Sequence, residues 1–206
     1  FSLSGLDISR AEPGFNGARY ERICRLTGRP RRVACLSMVS NNVREISSST
    51  PLRDAGVTVM ALRQALALRG DQLEPYWTRP LLGLNHDKLI AGHFALVDNG
   101  FFVHIPRNIT APEPIHLIME SGEPGAVTAP HVLVLADPYC KADVFVHFIG
   151  SNREATNLQL GMIQLHVGDG AQVTLTKIQH LGDRTNARTS EVCEICLLYT
   201  SDAADE

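Results

Sequence analysis

Long apolar runs are missing from this sequence of 206 residues. No stretch approaches the roughly 20 consecutive apolar residues that a helix needs to cross a bilayer. Residues 2–10 also lack the basic, apolar and small-residue order of a secretory signal peptide. Phe1 is not a start methionine, so we expect that the true N-terminus is missing or was processed. Together these absences favour a cytoplasmic protein.

Cysteine is scarce and scattered. The five cysteines are Cys24, Cys35, Cys140, Cys193 and Cys196, and only the last two have a paired spacing. An odd, scattered set in a chain without a signal peptide indicates reduced thiols, which again favours the cytoplasm. A disulfide framework is therefore not expected.

The end of the chain, residues 196–206, shows no strand alternation and resembles the translation of a transposon-type sequencing adapter. We interpret it as a non-native tail; the alternative is a genuine acidic tail. It holds three acids and no base, so without it the 22 acidic residues become 19, equal to the 19 basic residues. A neutral chain has no global field that attracts nucleic acid or a membrane. Setting the tail aside also removes the only paired cysteine spacing.

The motifs of common enzymes are absent as well. The sequence holds no Gly-x-x-x-x-Gly-Lys-Ser/Thr phosphate loop, no Gly-x-Gly-x-x-Gly and no Gly-x-Ser-x-Gly. The glycines Gly168 and Gly170 lie between two predicted strands and open no helix, which indicates a turn and not a phosphate cradle. We therefore predict no catalytic residue and no enzymatic activity, and instead a scaffold or binding function.

Eight histidines raise the question of a metal site. Four of them on predicted strands, His131, His147, His166 and His180, are far apart and unequally spaced, and no His-x-His occurs. Because these spacings match no common ligand pattern, we predict no metal ligand. Each strand histidine is expected to take an outward or turn-facing structural position. The alternative is a metal-dependent enzyme on a β-sandwich that uses these histidines.

The first half of the chain has a mixed pattern of helix and strand, interrupted by proline and glycine. The predicted elements are a helix around 18–26, strands at 33–39 and 43–46, and helices at 60–68 and 87–97. Asn41 and Asn42 suit the turn between the two strands, because Asn tolerates a positive φ. Gly70 is expected to end the helix that starts at residue 60.

From residue 100 onward the chain changes to short β-type runs separated by turn residues. The predicted strands are residues 101–105, 115–119, 131–136, 143–149, 160–167 and 172–180. The inward apolar residues of the last two are Ile163, Leu165, Val167, Val173 and Leu175. A twelve-residue step aligns Val134 with Val146, which predicts a mainly β protein, either a solenoid or a sandwich. In a solenoid each strand pairs with the strand two places later.

Several segments resemble the SufB/SufD family of iron–sulfur cluster assembly proteins, in family order and spacing over roughly residues 57–190. Residues 98–107 read Asp-Asn-Gly-Phe-Phe-Val-His-Ile-Pro-Arg and precede Pro-Ile-His-Leu at 114–117. This order is similar to the entry to the family's core. The matching strands that follow are residues 130–134 and 145–151 and the run 157–179. One departure is residues 137–140, Asp-Pro-Tyr-Cys, where the family usually has a Gly/Ala/Asn-type turn.

The upstream part is more similar to the SufD branch than to SufB. Residues 56–59, Gly-Val-Thr-Val, precede the predicted helix, and residues 76–83 read Tyr-Trp-Thr-Arg-Pro-Leu-Leu-Gly. This passage resembles the SufD lead-in.

The resemblance implies a right-handed parallel β-helix core preceded by a small α+β N-terminal region. It also implies a scaffold in a complex with a SufB-like scaffold and a SufC-like ATPase, which builds iron–sulfur clusters for apoproteins. In the family, the SufC-docking region and the residues thought to hold the cluster lie later, so here they are expected beyond Ile195. No cofactor-binding residue is assigned, no cofactor bound by this chain itself is expected, and Cys140 is expected to be structural.

We accordingly divide the chain into four parts: a lead-in at 1–56, a helical segment flanking the core at 57–99, a truncated β-helix core at 100–195, and the non-native tail. Cutting a β-helix leaves an unpaired strand edge, expected near residues 172–195. The chain alone is therefore expected to be poorly soluble or only partly folded.

Overall fold

The computed structural model describes residues 34–39, 42–47, 50–78, 87–121, 124–150 and 156–195. This part of the chain is mainly β, as predicted. The predicted helix at 18–26 and the tail at 196–206 lie outside the described residues.

The described residues form three helices and eleven strands. The helices are α1 (Thr50–Asp54), α2 (Leu62–Thr78) and α3 (Lys88–Leu96). The first strands are β1 (Ala34–Val39), β2 (Asn42–Ser47), β3 (Thr58–Ala61), β4 (Gly100–Ile105), β5 (Ile115–Glu120) and β6 (Val127–Thr128). The later strands are β7 (His131–Ala136), β8 (Lys141–Ile149), β9 (Asn157–Val167), β10 (Gln172–His180) and β11 (Thr185–Ile195).

The strands form two sheets. The first has the order β10-β8-β5-β1-β2, and the second has the order β11-β9-β7-β4-β3, with β6 alongside β9. From β4 onward the long strands alternate between the two sheets, and they pair in parallel as β4–β7, β5–β8, β7–β9, β8–β10 and β9–β11. The predicted pairing of strands far apart in sequence is therefore confirmed. Antiparallel pairs occur at the other end, between β1 and β2 and between β3 and β4.

The spacing of the ladder corrects the twelve-residue interpretation. Val134 lies on β7 of the second sheet and Val146 on β8 of the first, so they are not ladder neighbours. The partners of Val134 are Val103 and Leu165, which precede and follow it at equal intervals in the sequence. We call this interval the long repeat. The twelve-residue step carries the chain from one sheet to the other, whereas the long repeat brings it back to the neighbouring strand of the same sheet.

The main hydrophobic core lies between the two sheets. Alternate side chains point inward, and the buried ones include Phe101, Val103, Leu117, Val134, Val144, Val146 and Phe148. The predicted inward residues Ile163, Leu165 and Val167 are buried, while Val173 and Leu175 are half-buried against the same core. Each fully buried side chain of this size contributes about 1.5–3 kcal/mol to folding, so this core is the main source of stability.

Helix α2 covers the outer face of the second sheet, and its position differs from the prediction. Met60 belongs to β3, where it pairs with Phe102, and the helix begins at Leu62. Gly70 does not end the helix: the backbone kinks at Arg69 (φ −137°, ψ 28°) and a second helical piece continues to Thr78. Leu62, Leu73 and other buried residues pack on the sheet in a second apolar cluster. The helical period was predicted correctly. The first two residues of the predicted helix instead belong to β3, because they pair with β4.

The turns from the second sheet to the first sheet repeat one backbone conformation. Asn108, Tyr139 and Gly170 all have a left-handed φ, of 62°, 62° and 64°, and follow one another at the interval of the long repeat. The Asn108 N–H donates to the Pro138 carbonyl at 3.1 Å, and the Tyr139 N–H donates to the Asp169 carbonyl at 2.8 Å. The turns are therefore stacked. The unusual Asp-Pro-Tyr-Cys turn at 137–140 places Tyr139 where its neighbours have Asn and Gly.

The Gly170→Ala variant is expected to lower the free energy of unfolding by about 1–2 kcal/mol, because L residues are disfavoured in the left-handed region. A Cβ at Gly170 also lies 2.6 Å from the Tyr139 ring. Urea unfolding of the variant and the parent chain measures this difference. The matched control is Asp183→Asn, an exposed change in a different turn; equal losses in both variants would contradict the special role of Gly170.

The last strands of the described chain present open edges. Among the described strands, β10 pairs only with β8 and β11 only with β9. Lys177 and Glu191, which form an ion pair, lie in register with the buried core residues Val146 and Ile163. Charged side chains thus occupy inward positions at this end, which limits the apolar surface there.

Candidate functional site

The strand histidines lie on the outer faces of the sheets, but two of them are not near solvent. His131 is 0% exposed and His147 is 2% exposed, whereas His166 is half-buried and His180 is exposed. The outward direction was predicted correctly. An outward direction does not mean exposure here, because helices cover the outer face of the second sheet at His131, and His147 is buried as well.

Helix α3 places one partner of the first histidine pair. Asp87 caps this helix, its side chain accepting the Leu89 N–H at 2.8 Å, and the helix ends as the Val97 N–H donates to the His93 carbonyl. This confirms the predicted helix at 87–97. Between its caps the helix buries Ile90 and His93 against the sheet.

His93 and His131 form a buried pair. The His93 Nδ1 lies 2.7 Å from the Leu160 carbonyl, so this nitrogen carries the proton and donates. The other nitrogen, Nε2, therefore accepts from His131 Nδ1 at 3.0 Å. Burial lowers the pKa of His93, and burial together with the nearby His93 lowers the pKa of His131 to about 3, opposed in part by Gln164. Both rings are thus neutral near pH 7 and join α3 to β7 and β9.

A second buried pair lies on the outer face of the first sheet. His116 Nδ1 and His147 Nε2, on the neighbouring strands β5 and β8, are 3.0 Å apart. The His116 ring also stacks on Phe145, with 4.8 Å between the ring centroids and 6° between the planes. The nitrogen-to-nitrogen bond and the stacking give these rings a packing role on the sheet.

A cleft of about 350 Å³ opens at the turn end of the second sheet. Its lining includes Tyr76, Leu135, Asp137, His166, Asp169 and Glu194. His166 Nδ1 lies 2.8 Å from Glu194 Oε2, and the Tyr76 ring meets the His166 ring edge-on at 4.6 Å. Beside the cleft, His104 Nε2 lies 3.1 Å from Asp137 Oδ2. Two histidine–carboxylate pairs therefore flank Leu135.

Two thiols in the described part of the chain, those of Cys140 and Cys193, offer little reactivity. Cys140 is buried in the main core, where burial and the nearby Asp137 raise its pKa. Cys193 is exposed on β11, and desolvation raises its pKa as well. A raised pKa keeps the thiol protonated, and the thiolate is the form that binds metal and attacks electrophiles.

Metal and membrane features were sought over the same residues. No group of three or more His, Cys, Asp or Glu side chains within the described ranges could hold a metal ion. None of the helices in this part of the chain is both long enough and apolar enough to span a membrane.

The long repeat is the signal that local periodicity missed. His104, Leu135 and His166 follow each other at this interval and lie side by side on β4, β7 and β9. His116 and His147, on neighbouring strands, are separated by the same interval, which is 31 residues. A search for side chains one long repeat apart would have found the second pair and the adjacent positions of Leu135 and His166, but not the acidic residues of the cleft. The first pair joins a helix to a strand and leaves no such signal.

Comparison with known proteins gave two matches to curated proteins. The chain is 24% identical over 136 residues to the iron–sulfur cluster assembly protein SufD of Bacillus subtilis, which covers 66% of this chain and 31% of that protein. It is 23% identical over 133 residues to an iron–sulfur cluster assembly SufBD family protein of Pyrococcus horikoshii, covering 65% and 30%. No family model matches the chain. The matched region spans about a third of the length of these relatives.

Proposed function

We propose that this chain, a member of the SufB/SufD family, is a scaffold subunit of iron–sulfur cluster assembly. It works in the cytoplasm, in complex with a SufB-like scaffold and a SufC-like ATPase, and supports cluster build-up and transfer to apoproteins. The similarity to two proteins named for iron–sulfur cluster assembly carries this proposal. It extends over 136 residues, 66% of the chain, in the first match.

The architecture that goes with this role is a right-handed parallel β-helix over residues 100–195. The alternation of the chain between two sheets supports it, as does the parallel pairing of strands one long repeat apart. The stacked left-handed turns at Asn108, Tyr139 and Gly170 support it further, because a β-helix repeats the same turn in each layer.

The proposed role is one of binding and not of catalysis. The cluster is the cargo of the complex, and the chain holds no cofactor of its own in this proposal. The buried histidine pairs, whose rings contact each other, support structural roles for those side chains. The raised pKa values of Cys140 and Cys193 argue against thiolate ligands at these two positions. The cluster ligands are proposed to lie beyond Ile195.

A metal-dependent enzyme on a β-sandwich has less support. Sandwiches of this size are built from antiparallel strands, whereas the long strands from β4 to β11 pair in parallel. The described residues also hold no group of three metal-binding side chains. His131 and His147 each contact another histidine, His166 faces a carboxylate, and His180 is exposed on the edge strand.

Co-purification tests the proposed function. The tagged full-length protein, co-expressed with SufB-like and SufC-like proteins, is expected to purify with both, and the ATPase activity is expected to require the SufC-like subunit. Loading of a cluster onto an apo-ferredoxin should depend on the tagged protein. A protein that hydrolyses ATP alone, or that binds neither partner while remaining folded, would overturn the assignment.

A further inference from the structure

The geometry points to a binding site for a cationic side chain, an arginine presented by a partner polypeptide, in the cleft beside Tyr76 and His166. Asp137, Asp169 and Glu194 contribute acidic side chains to its lining, and no Lys or Arg of the described residues lines it. A concave site lined by one sign of charge concentrates the field and attracts the opposite charge. This site goes beyond the assembly role and does not depend on it.

His166 supplies an unused hydrogen-bond acceptor. Glu194 lies 2.8 Å from Nδ1, so in the neutral ring Nδ1–H donates to the carboxylate and Nε2 carries the lone pair. Nε2 is buried and has no hydrogen-bond partner among the described residues. Buried polar atoms in folded proteins are nearly always paired. Because Nε2 has almost no accessible surface, an N–H donor from a ligand completes this side chain only when a lining side chain such as Tyr76 moves aside.

The shape of the cleft fits a guanidinium better than an ammonium or a metal ion. Tyr76 and His166 form an aromatic wall, and a planar guanidinium stacks on such rings. Its five N–H donors can also pair with two carboxylates at once, which a point-like ammonium does less well. A metal ion fits poorly, because the described residues offer no group of three suitable ligands.

The openness of the cleft indicates a side chain from a polypeptide and not an enclosed small molecule. The side chains of Asp137 and Glu194 are 43% and 54% exposed, so both carboxylates are reached from the surface. The volume of about 350 Å³ is at the lower end for a small-molecule pocket, roughly 300–1,000 Å³, and holds one long side chain. The partner backbone would then lie along the stacked turns, near the exposed Tyr139.

A titration followed by NMR tests this site on the complete chain. The probe is Nα-acetyl-arginine methylamide, and its neutral isostere, Nα-acetyl-citrulline methylamide, is the ligand control. We expect the arginine probe to shift the His166 ring resonances and to bind at least tenfold more tightly than citrulline. Asp169→Asn and Glu194→Gln should each weaken binding at least fivefold. Asp143→Asn, an exposed acid on the other sheet, should leave it unchanged.

Three results would overturn the proposal: equal binding of arginine and citrulline probes, equal binding by the Asp169→Asn and Asp143→Asn chains, or binding of zinc chloride alone. Tenfold tighter binding of free L-arginine than of the blocked residue would overturn the polypeptide source. If Glu194→Gln disturbs β11, the Asp169→Asn variant still tests the proposal. Asp169 accepts the turn hydrogen bond from Tyr139 through its backbone carbonyl, which the substitution leaves in place. Near-ultraviolet circular dichroism of each variant checks the fold.

Discussion

Replacing Gly100 with alanine is expected to lower the free energy of unfolding by about 3 kcal/mol or more, because no room exists for a Cβ. Gly100 begins β4 beside His131 on β7, and an added Cβ would lie 1.8 Å from the His131 carbonyl oxygen. The obstacle is backbone, so no side-chain rotation relieves it. β4 and β7 would have to move apart at the point where α3 packs on the second sheet.

Urea unfolding at pH 7 measures this effect, with Gly70→Ala as the control. A Cβ at Gly70 meets nothing within 4 Å, and alanine is the better helix former by up to about 1 kcal/mol. Gly70→Ala is therefore expected to leave the stability unchanged or to raise it slightly. A Gly100→Ala chain as stable as Gly70→Ala would show that β4 and β7 are not packed as described.

Acidification is expected to destabilise the protein through the His93–His131 pair. The pKa of His131 falls from 6.5 to about 3 on folding, so the unfolded chain binds the proton first as the pH falls. The stability that this neutral ring contributes is complete above pH 6.5 and is lost progressively between pH 6.5 and about 3. At 1.36 kcal/mol per pH unit, the loss from His131 alone is about 2 kcal/mol at pH 5.

The comparison of His131→Gln with His180→Gln isolates this contribution. His180 is exposed on β10, so its replacement should leave the dependence of stability on pH between 7 and 5 nearly as in the parent chain. His131→Gln should flatten that dependence, since the titrating group is gone. Should His131→Gln fail to fold, an NMR titration of the His131 ring in the parent chain gives the answer directly. A ring that titrates near pH 6.5 would contradict the prediction.

Most of the strands were predictable because their residues alternate or are apolar throughout. The predicted strands at 101–105, 131–136 and 172–180 agree with β4, β7 and β10 to within one residue. The prediction gave no separate strand for β11, whose residues are mostly polar and exposed. This strand forms because it pairs with β9. The two strands are far apart in the sequence, so no local pattern predicts the pairing.

The candidate site was less predictable than the fold. Sequence spacing treated His131, His147 and His166 as members of one possible ligand set, whereas the structure gives each a different partner. His131 meets His93 across 38 residues, and His166 meets Glu194 across 28. Such contacts depend on which helix covers which sheet and on the length of the repeat, and neither is encoded in a short window of sequence.

The stacked turns have a consequence for how the chain tolerates changes in length. Four residues separate β7 from β8 and β9 from β10, and the turn at 106–109 also has four before Thr110 bridges to Lys141. On the return path ten residues lie between β5 and β7, a stretch that includes β6, whereas seven lie between β8 and β9 and four between β10 and β11. An insertion at the uniform edge would separate the stacked left-handed residues and break the turn-to-turn hydrogen bonds donated by Asn108 and Tyr139. The return edge is therefore where a loop, an epitope or a tag can be grafted.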